Sequence, residues 1–133
     1  MQSKADANAA WALGLLDWNR AHLTHDSDLS EVAVGERFAD RLVVKANGRT
    51  YEADRRTYKE FLDGFRRTIA AIDYQVHEVV ANEASAVLVM GARVDRRDGS
   101  VDRFEAMLLL KFDGSGLVEL WQEVYIKAEG PAG

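Results

Sequence analysis

The chain has 133 residues, 47% of them hydrophobic and 29% charged, a size and balance that suit one globular domain needing no disulfide or metal staple. Its 17 basic and 22 acidic residues leave a net charge of −5, which argues against binding a nucleic-acid phosphate backbone. The pairs Arg55-Arg56, Arg66-Arg67 and Arg96-Arg97 sit among Asp54, Asp63, Asp95 and Asp98, as on solvated faces, and the absence of cysteine excludes thiol nucleophiles and thiolate metal sites.

Met1 to Ala10 carries one Lys and no apolar core, unlike a secretory signal. Apolar runs such as Ala106 to Leu110 are far too short to cross a bilayer. No membrane association and a cytoplasmic location are therefore expected.

In chain order, Ser3 to about Leu23 reads as a first helix. Trp11, Leu15, Trp18 and His22 share one face, Leu13, Leu16 and Leu23 widen the stripe, and Ser3 with Asp6 gives a start signal. Leu29 to about Ala39 reads as a second helix, with Asp28 and Glu31 as a capping box and Leu29, Val32, Ala33 and Phe38 as its inner stripe. Arg41 to Glu52 reads as a hairpin turning at Asn47-Gly48. Thr57 to about Ile72 reads as a third helix on the spacing of Tyr58, Phe61, Leu62, Phe65, Ile69 and Ile72, with Thr57 and Glu60 as its box or Asp54 as an earlier start. Four strands follow, Tyr74 to Val80, Ala86 to Val94, Arg103 to Phe112 and Leu117 to Ile126, with turns at Asp98-Gly99 and Asp113-Gly114-Ser115-Gly116. Short turns make these strands antiparallel. The expected class is α+β, a single domain over residues 1–133 with a core of about 8–126 and a flexible tail at 127–133.

Trp18-Asn19, Asp28-Leu29, Phe38-Ala39-Asp40 and the run Lys111 to Val118 followed by Trp121, Glu123 and Tyr125 resemble the nuclear transport factor 2-like superfamily, which includes SnoaL-like polyketide cyclases and ketosteroid isomerases. The resemblance covers roughly residues 8 to 126. It implies a cone: a strongly curved antiparallel sheet, three helices from the N-terminal half on its concave side, one pocket at the open end, and pairing of two copies through the outer face. Such a fold hosts enzymes and binding modules alike.

The isomerase members use a base on the first strand, a tyrosine on the first helix and a protonated aspartate on a later strand. Aligned by Phe38-Ala39-Asp40 and Phe112-Asp113, those roles fall near Ala46, around Leu15 to Trp18, and near Leu108. None of the three side chains is present, which argues against ketosteroid isomerisation. Alternation along the last strand puts Trp121, Glu123 and Tyr125 on one face, and the resemblance implies that this face lines the cavity. Glu123 and Tyr125 are the candidate catalytic residues. Trp18, His22, Tyr58, Arg93 and Trp121 are the candidate ligand-binding residues. Glu105 is read as outward, His25 and His77 as surface residues.

Two readings of Glu123 stay open: a pocket acid, or one half of a buried bridge to Arg93. No cofactor is expected, and no metal, because no two histidines sit at ligand spacing with a nearby acid. Val87 and Val89 against Leu88 and Met90, and Met107 and Leu109 against Leu108 and Leu110, make the sheet apolar on both faces, so a homodimer through the outer face is expected. The function read from this is a SnoaL-like isomerase, cyclase or hydratase acting on a small apolar molecule. The alternative is a non-catalytic small-ligand-binding or dimerisation module.

Overall fold

A computed structural model describes residues 3–128. Helix α1, Lys4–His22, starts where Ser3 accepts a hydrogen bond from the Asp6 N–H at 3.0 Å. It buries Ala12, Leu15, Leu16, Trp18 and Asn19 against strands β3, β4 and β5 and leaves Leu13 exposed. Helix α2 is shorter than the sequence implies. It spans only Glu31–Gly35, capped by Ser30 and not by Asp28, and Val34 replaces Val32 on its buried side. Phe38 belongs to strand β1, Phe38–Ala46, which runs through the Asn47-Gly48 turn into β2, Arg49–Asp54. Both turn residues have positive φ, 49° and 88°, as a tight two-residue hairpin requires.

Helix α3 is Arg55–Arg66, with Asp54 as its cap and Thr57 completing the box. Ile69 and Ile72, expected to continue this helix, open β3, Ile69–Ala81. The reason is a register shift between Ile69 and Ala71. The extra residue leaves both isoleucines pointing inward, a spacing of three that imitates a helical stripe. Strands β4, Ala86–Arg96, β5, Val101–Phe112, and β6, Val118–Lys127, complete the sheet. Lys127, read as tail, is the last residue of β6, and residues 129–133 lie outside the described part.

The six strands take the order β2-β1-β6-β5-β4-β3. Four of the five pairings are antiparallel, and β1 with β6 is parallel, a correction to the wholly antiparallel sheet. Parallel neighbours need a long crossover, and here everything from β2 to β5 supplies it. Register shifts in the β1–β6, β3–β4 and β5–β6 pairings bend the sheet, and the helices pack on its concave face. That face is the core: Ala86, Leu88, Met90, Leu108, Leu110 and Val118 are all buried there.

The turn into β6 fixes one wall of this core. Asp113 accepts from the N–H groups of Ser115 and Leu117, and Gly116 follows at φ 85°. A Cβ at Gly116 would stand 2.5 Å from the Trp11 indole, which is itself held against Phe112. Gly116→Ala is therefore expected to lower stability by about 2–5 kcal/mol, from left-handed backbone strain and overpacking together. Gly114→Ala, two residues away in open space, is expected to stay within about 0.5 kcal/mol of wild type. Urea denaturation of both variants measures this.

Candidate functional site

The cross-strand register defines the site. Glu123 on β6 stands beside Ala46 on β1 and Leu108 on β5, and Leu108 stands beside Leu88 on β4. Residues directly opposite one another share a face, and Leu108 and Leu88 are fully buried, so Glu123 points to the concave side. Trp121, opposite fully buried Leu110, and Tyr125, opposite buried Ala106, share that side. Val124 and Ile126 point the other way and are 62% and 67% exposed. Shielding grows along the strand away from Tyr125, which is 38% exposed at the rim against Phe104.

A carboxylate in an apolar row loses hydration that its surroundings replace only in part. Burial pushes Glu123 up to about 7, and the Trp121 indole pulls weakly the other way. No cation among the described residues offsets this, and Arg93 is not there. Alternation along β4 puts Arg93 with Val87 and Val89 on the convex face, opposite Arg103. It is exposed and paired with Asp95 at 3.1 Å. The inward placement of Arg93, and with it the buried bridge to Glu123, is corrected.

Above the strand lies a train of aromatic rings. Trp18 packs on His22 at 4.6 Å and on Phe38 at 5.4 Å between centroids. Phe38 packs on Tyr58 at 4.8 Å and on Trp121 at 6.5 Å. Phe38 thus joins Trp18, His22, Tyr58 and Trp121 into one cluster beside Glu123. Burial raises the Tyr58 hydroxyl well above its ordinary range, and the nearby Tyr51, Glu123 and Tyr74 add to this.

Two tyrosines that no sequence pattern singled out belong here. Tyr74, from the start of β3, accepts a hydrogen bond from buried Asn19 at 3.2 Å. Tyr51, from β2, is pushed up to about 12 by burial. Among the described residues its hydroxyl has no partner, and neither do the Trp18 indole N–H or His22 Nδ1, although all three atoms are buried. An unpaired buried polar atom costs about 1–3 kcal/mol. Inward alternation on β2 and β3 was the available signal for both tyrosines, hidden by the bulge at the start of β3 and by the helical reading of residues 67–72.

Glu105 faces out beside His77 at 3.6 Å, and His25 is exposed. The positions aligned with the isomerase base and aspartate, Ala46 and Leu108, are the two neighbours of Glu123 in one cross-strand row. One carboxylate occupies the strand between two apolar positions. Two open depressions on the surface, one around Arg67, Arg96 and Arg97 and one around Asp40, Arg41 and Arg55, include none of these residues. None of the described helices is long and apolar enough to cross a membrane.

No protein-family model and no curated protein matches the sequence. Solved structures match the fold. An LEH-like epoxide hydrolase from M. tuberculosis superposes with a TM-score of 0.75 at 13% identity, covering 95% of this chain and 83% of that one. A nuclear transport factor 2-like protein from Anabaena variabilis ATCC 29413 gives 0.72 at 10% identity, covering 98% and 96%. A candidate ketosteroid isomerase from Kribbella flavida DSM 17836 gives 0.66 at 15% identity, covering 98% and 86%. The chain has the nuclear transport factor 2-like fold.

The geometry of Glu123 sets a sign for its effect on stability. Its folded value, about 7, lies above the ordinary value of 4.5, so protonation favours folding. The contribution is complete below pH 4.5 and is lost as pH rises to about 7. Glu123→Gln removes the ionisation and keeps the shape. It is expected to be more stable than wild type at pH 8, by up to about 3 kcal/mol, with the difference vanishing near pH 4. Paired urea titrations across this range measure it, and a variant less stable than wild type at pH 8 would contradict the desolvated placement.

Proposed function

We propose that the chain is a small-molecule enzyme in which Glu123 is the acid–base group, taking a proton from a mainly apolar substrate and returning it. The carrying observation is a carboxylate held in an apolar row near pH 7, where the protonated and ionised forms are both available. Trp121 and Trp18 form the walls of the ligand site, Tyr58 and His22 line it, and Tyr125 offers a hydroxyl at the rim. Arg93 has no part in it. The unpaired Trp18 indole N–H can only donate, which favours a substrate carrying an oxygen acceptor. Likeness to folds that include an epoxide hydrolase and a candidate ketosteroid isomerase supports a small-molecule class. A single carboxylate suits isomerisation, cyclisation or hydration that one group completes, and not the two-acid arrangement of ketosteroid isomerisation.

A screen of apolar epoxides, unsaturated ketones and hydroxyketones, wild type against Glu123→Gln, tests this. Turnover is expected to fall by about 10²- to 10⁴-fold in the variant, and the wild-type rate to change with pH around 7. Turnover that Glu123→Gln leaves intact defeats the proposal. Binding of such molecules with no turnover in wild type favours the alternative, a ligand-binding module.

The convex face favours a second reading, homodimerisation. Met107 stands opposite Val124 across β5 and β6, and Met107, Val124 and Ile126 are each at least 60% exposed beside half-buried Val89 and Leu109. An apolar sheet face of this kind needs cover. Light scattering is expected to give a dimer at micromolar concentration and a monomer for Val124→Lys. A wild-type monomer overturns the reading.

A further inference from the structure

Asn47 does more than turn a hairpin. Its backbone N–H donates to the Glu123 carbonyl at 2.9 Å. Its side-chain Nδ2 donates to the Tyr125 carbonyl at 3.1 Å, and its Oδ1 accepts from the Tyr125 N–H at 2.8 Å. The β1–β6 ladder ends at Ala46 beside Glu123, because the chain turns away into β2. The Asn47 amide takes the place of the next strand residue and pairs both backbone groups of Tyr125. On its other edge β6 is held by β5, with Leu108 opposite Glu123 and Ala106 opposite Tyr125. Without the amide, the β1 edge of β6 just past Glu123 is open to water.

We infer that Asn47 is a positioning residue, which holds the Glu123-to-Tyr125 segment of β6 flat so that the Glu123 carboxylate stays on the shielded side of the sheet. The turn alone does not require it. A positive φ of 49° is met as well by Gly or Asp. Pairing an N–H and a C=O at once requires a donor and an acceptor on one short side chain, which Asn has and Asp and Gly lack. The inference rests on the reading of Glu123 as the acid–base group. The titratable groups that sense Glu123 from the packed elements are Tyr58 on α3 and Tyr74 on β3, and neither touches Asn47 in any hydrogen bond among the described residues.

The test uses the full chain with Asn47→Gly and Asn47→Asp, reading amide exchange at Tyr125 and a carbon-detected titration of the Glu123 carboxyl. Asn47→Gly keeps the turn and loses both side-chain bonds. Tyr125 exchange is expected to speed up by about tenfold or more, the equivalent of one hydrogen bond. The Glu123 midpoint is expected to fall by about one unit as water reaches it. Asn47→Asp keeps the acceptor for the Tyr125 N–H and is expected to restore most of the Tyr125 protection, with an intermediate midpoint. Wild-type exchange and midpoint in Asn47→Gly overturn the inference, whatever happens to Tm. Should that variant fail to fold, a wild-type Glu123 midpoint in Asn47→Asp overturns it instead. Neither readout needs a substrate, so failure here leaves the turnover test of Glu123→Gln standing, and failure of that test leaves this one standing.

Discussion

The parallel pairing of β1 with β6 is the constraint on which the rest of the molecule depends. It joins the N-terminal hairpin to the C-terminal strand and makes one sheet of two pieces that antiparallel turns alone would leave apart. The same pairing sets Ala46 beside Glu123 and Val44 beside Trp121. It therefore decides which side chains surround the carboxylate. A slip of one residue would turn Glu123 to solvent and Val124 into the core. Trp121, packed between buried Val44 and Leu110, opposes that slip, since it would have to leave the core face.

An apolar surround and a carboxylate answered by little more than the Trp121 indole conflict in energetic terms. Natural cores resolve such conflicts with a cation or with several hydrogen-bond donors. Here the nearby Tyr58 and Tyr74 are themselves raised by burial, and Arg93 lies on the other face, paired with Asp95. The unpaired Trp18 indole N–H, His22 Nδ1 and Tyr51 hydroxyl follow the same pattern. Several polar atoms in one aromatic cluster forgo partners at once. Such atoms are completed by a bound water, an ion or another polar molecule, or else carry a cost of their own.

Legibility in the sequence tracked the range of the physics involved. The shared face of Trp121, Glu123 and Tyr125 is readable because strand alternation is strictly local, while its inward direction is what the resemblance implies. The Asn47-Gly48 turn was readable because two residues determine it. The end of α3 was not, since one bulge gave Ile69 and Ile72 a helical spacing. The end of α2 was not either: Phe38 reads as the next residue of an apolar stripe, but the sheet claims it beside Val118. Arg93 was misplaced although its own strand gave the answer, for it shares parity with Val87 and Val89. The second use of Asn47 joins residues 78 positions apart, the β1–β6 pairing spans a similar stretch of chain, and no local pattern encodes either one.

That separation bears on how the molecule comes together. During synthesis the β1–β2 hairpin emerges early, with one edge of β1 unpaired until β6 has left the ribosome. The β3-to-β6 meander can form by successive hairpins, each closing a short loop. The last seam must close across most of the chain, at the highest entropic cost of any pairing in the sheet. Glu123 and its neighbours on β1 come together only when that seam closes. In a partly folded chain the Glu123 carboxylate is still hydrated and ordinary until that seam shuts.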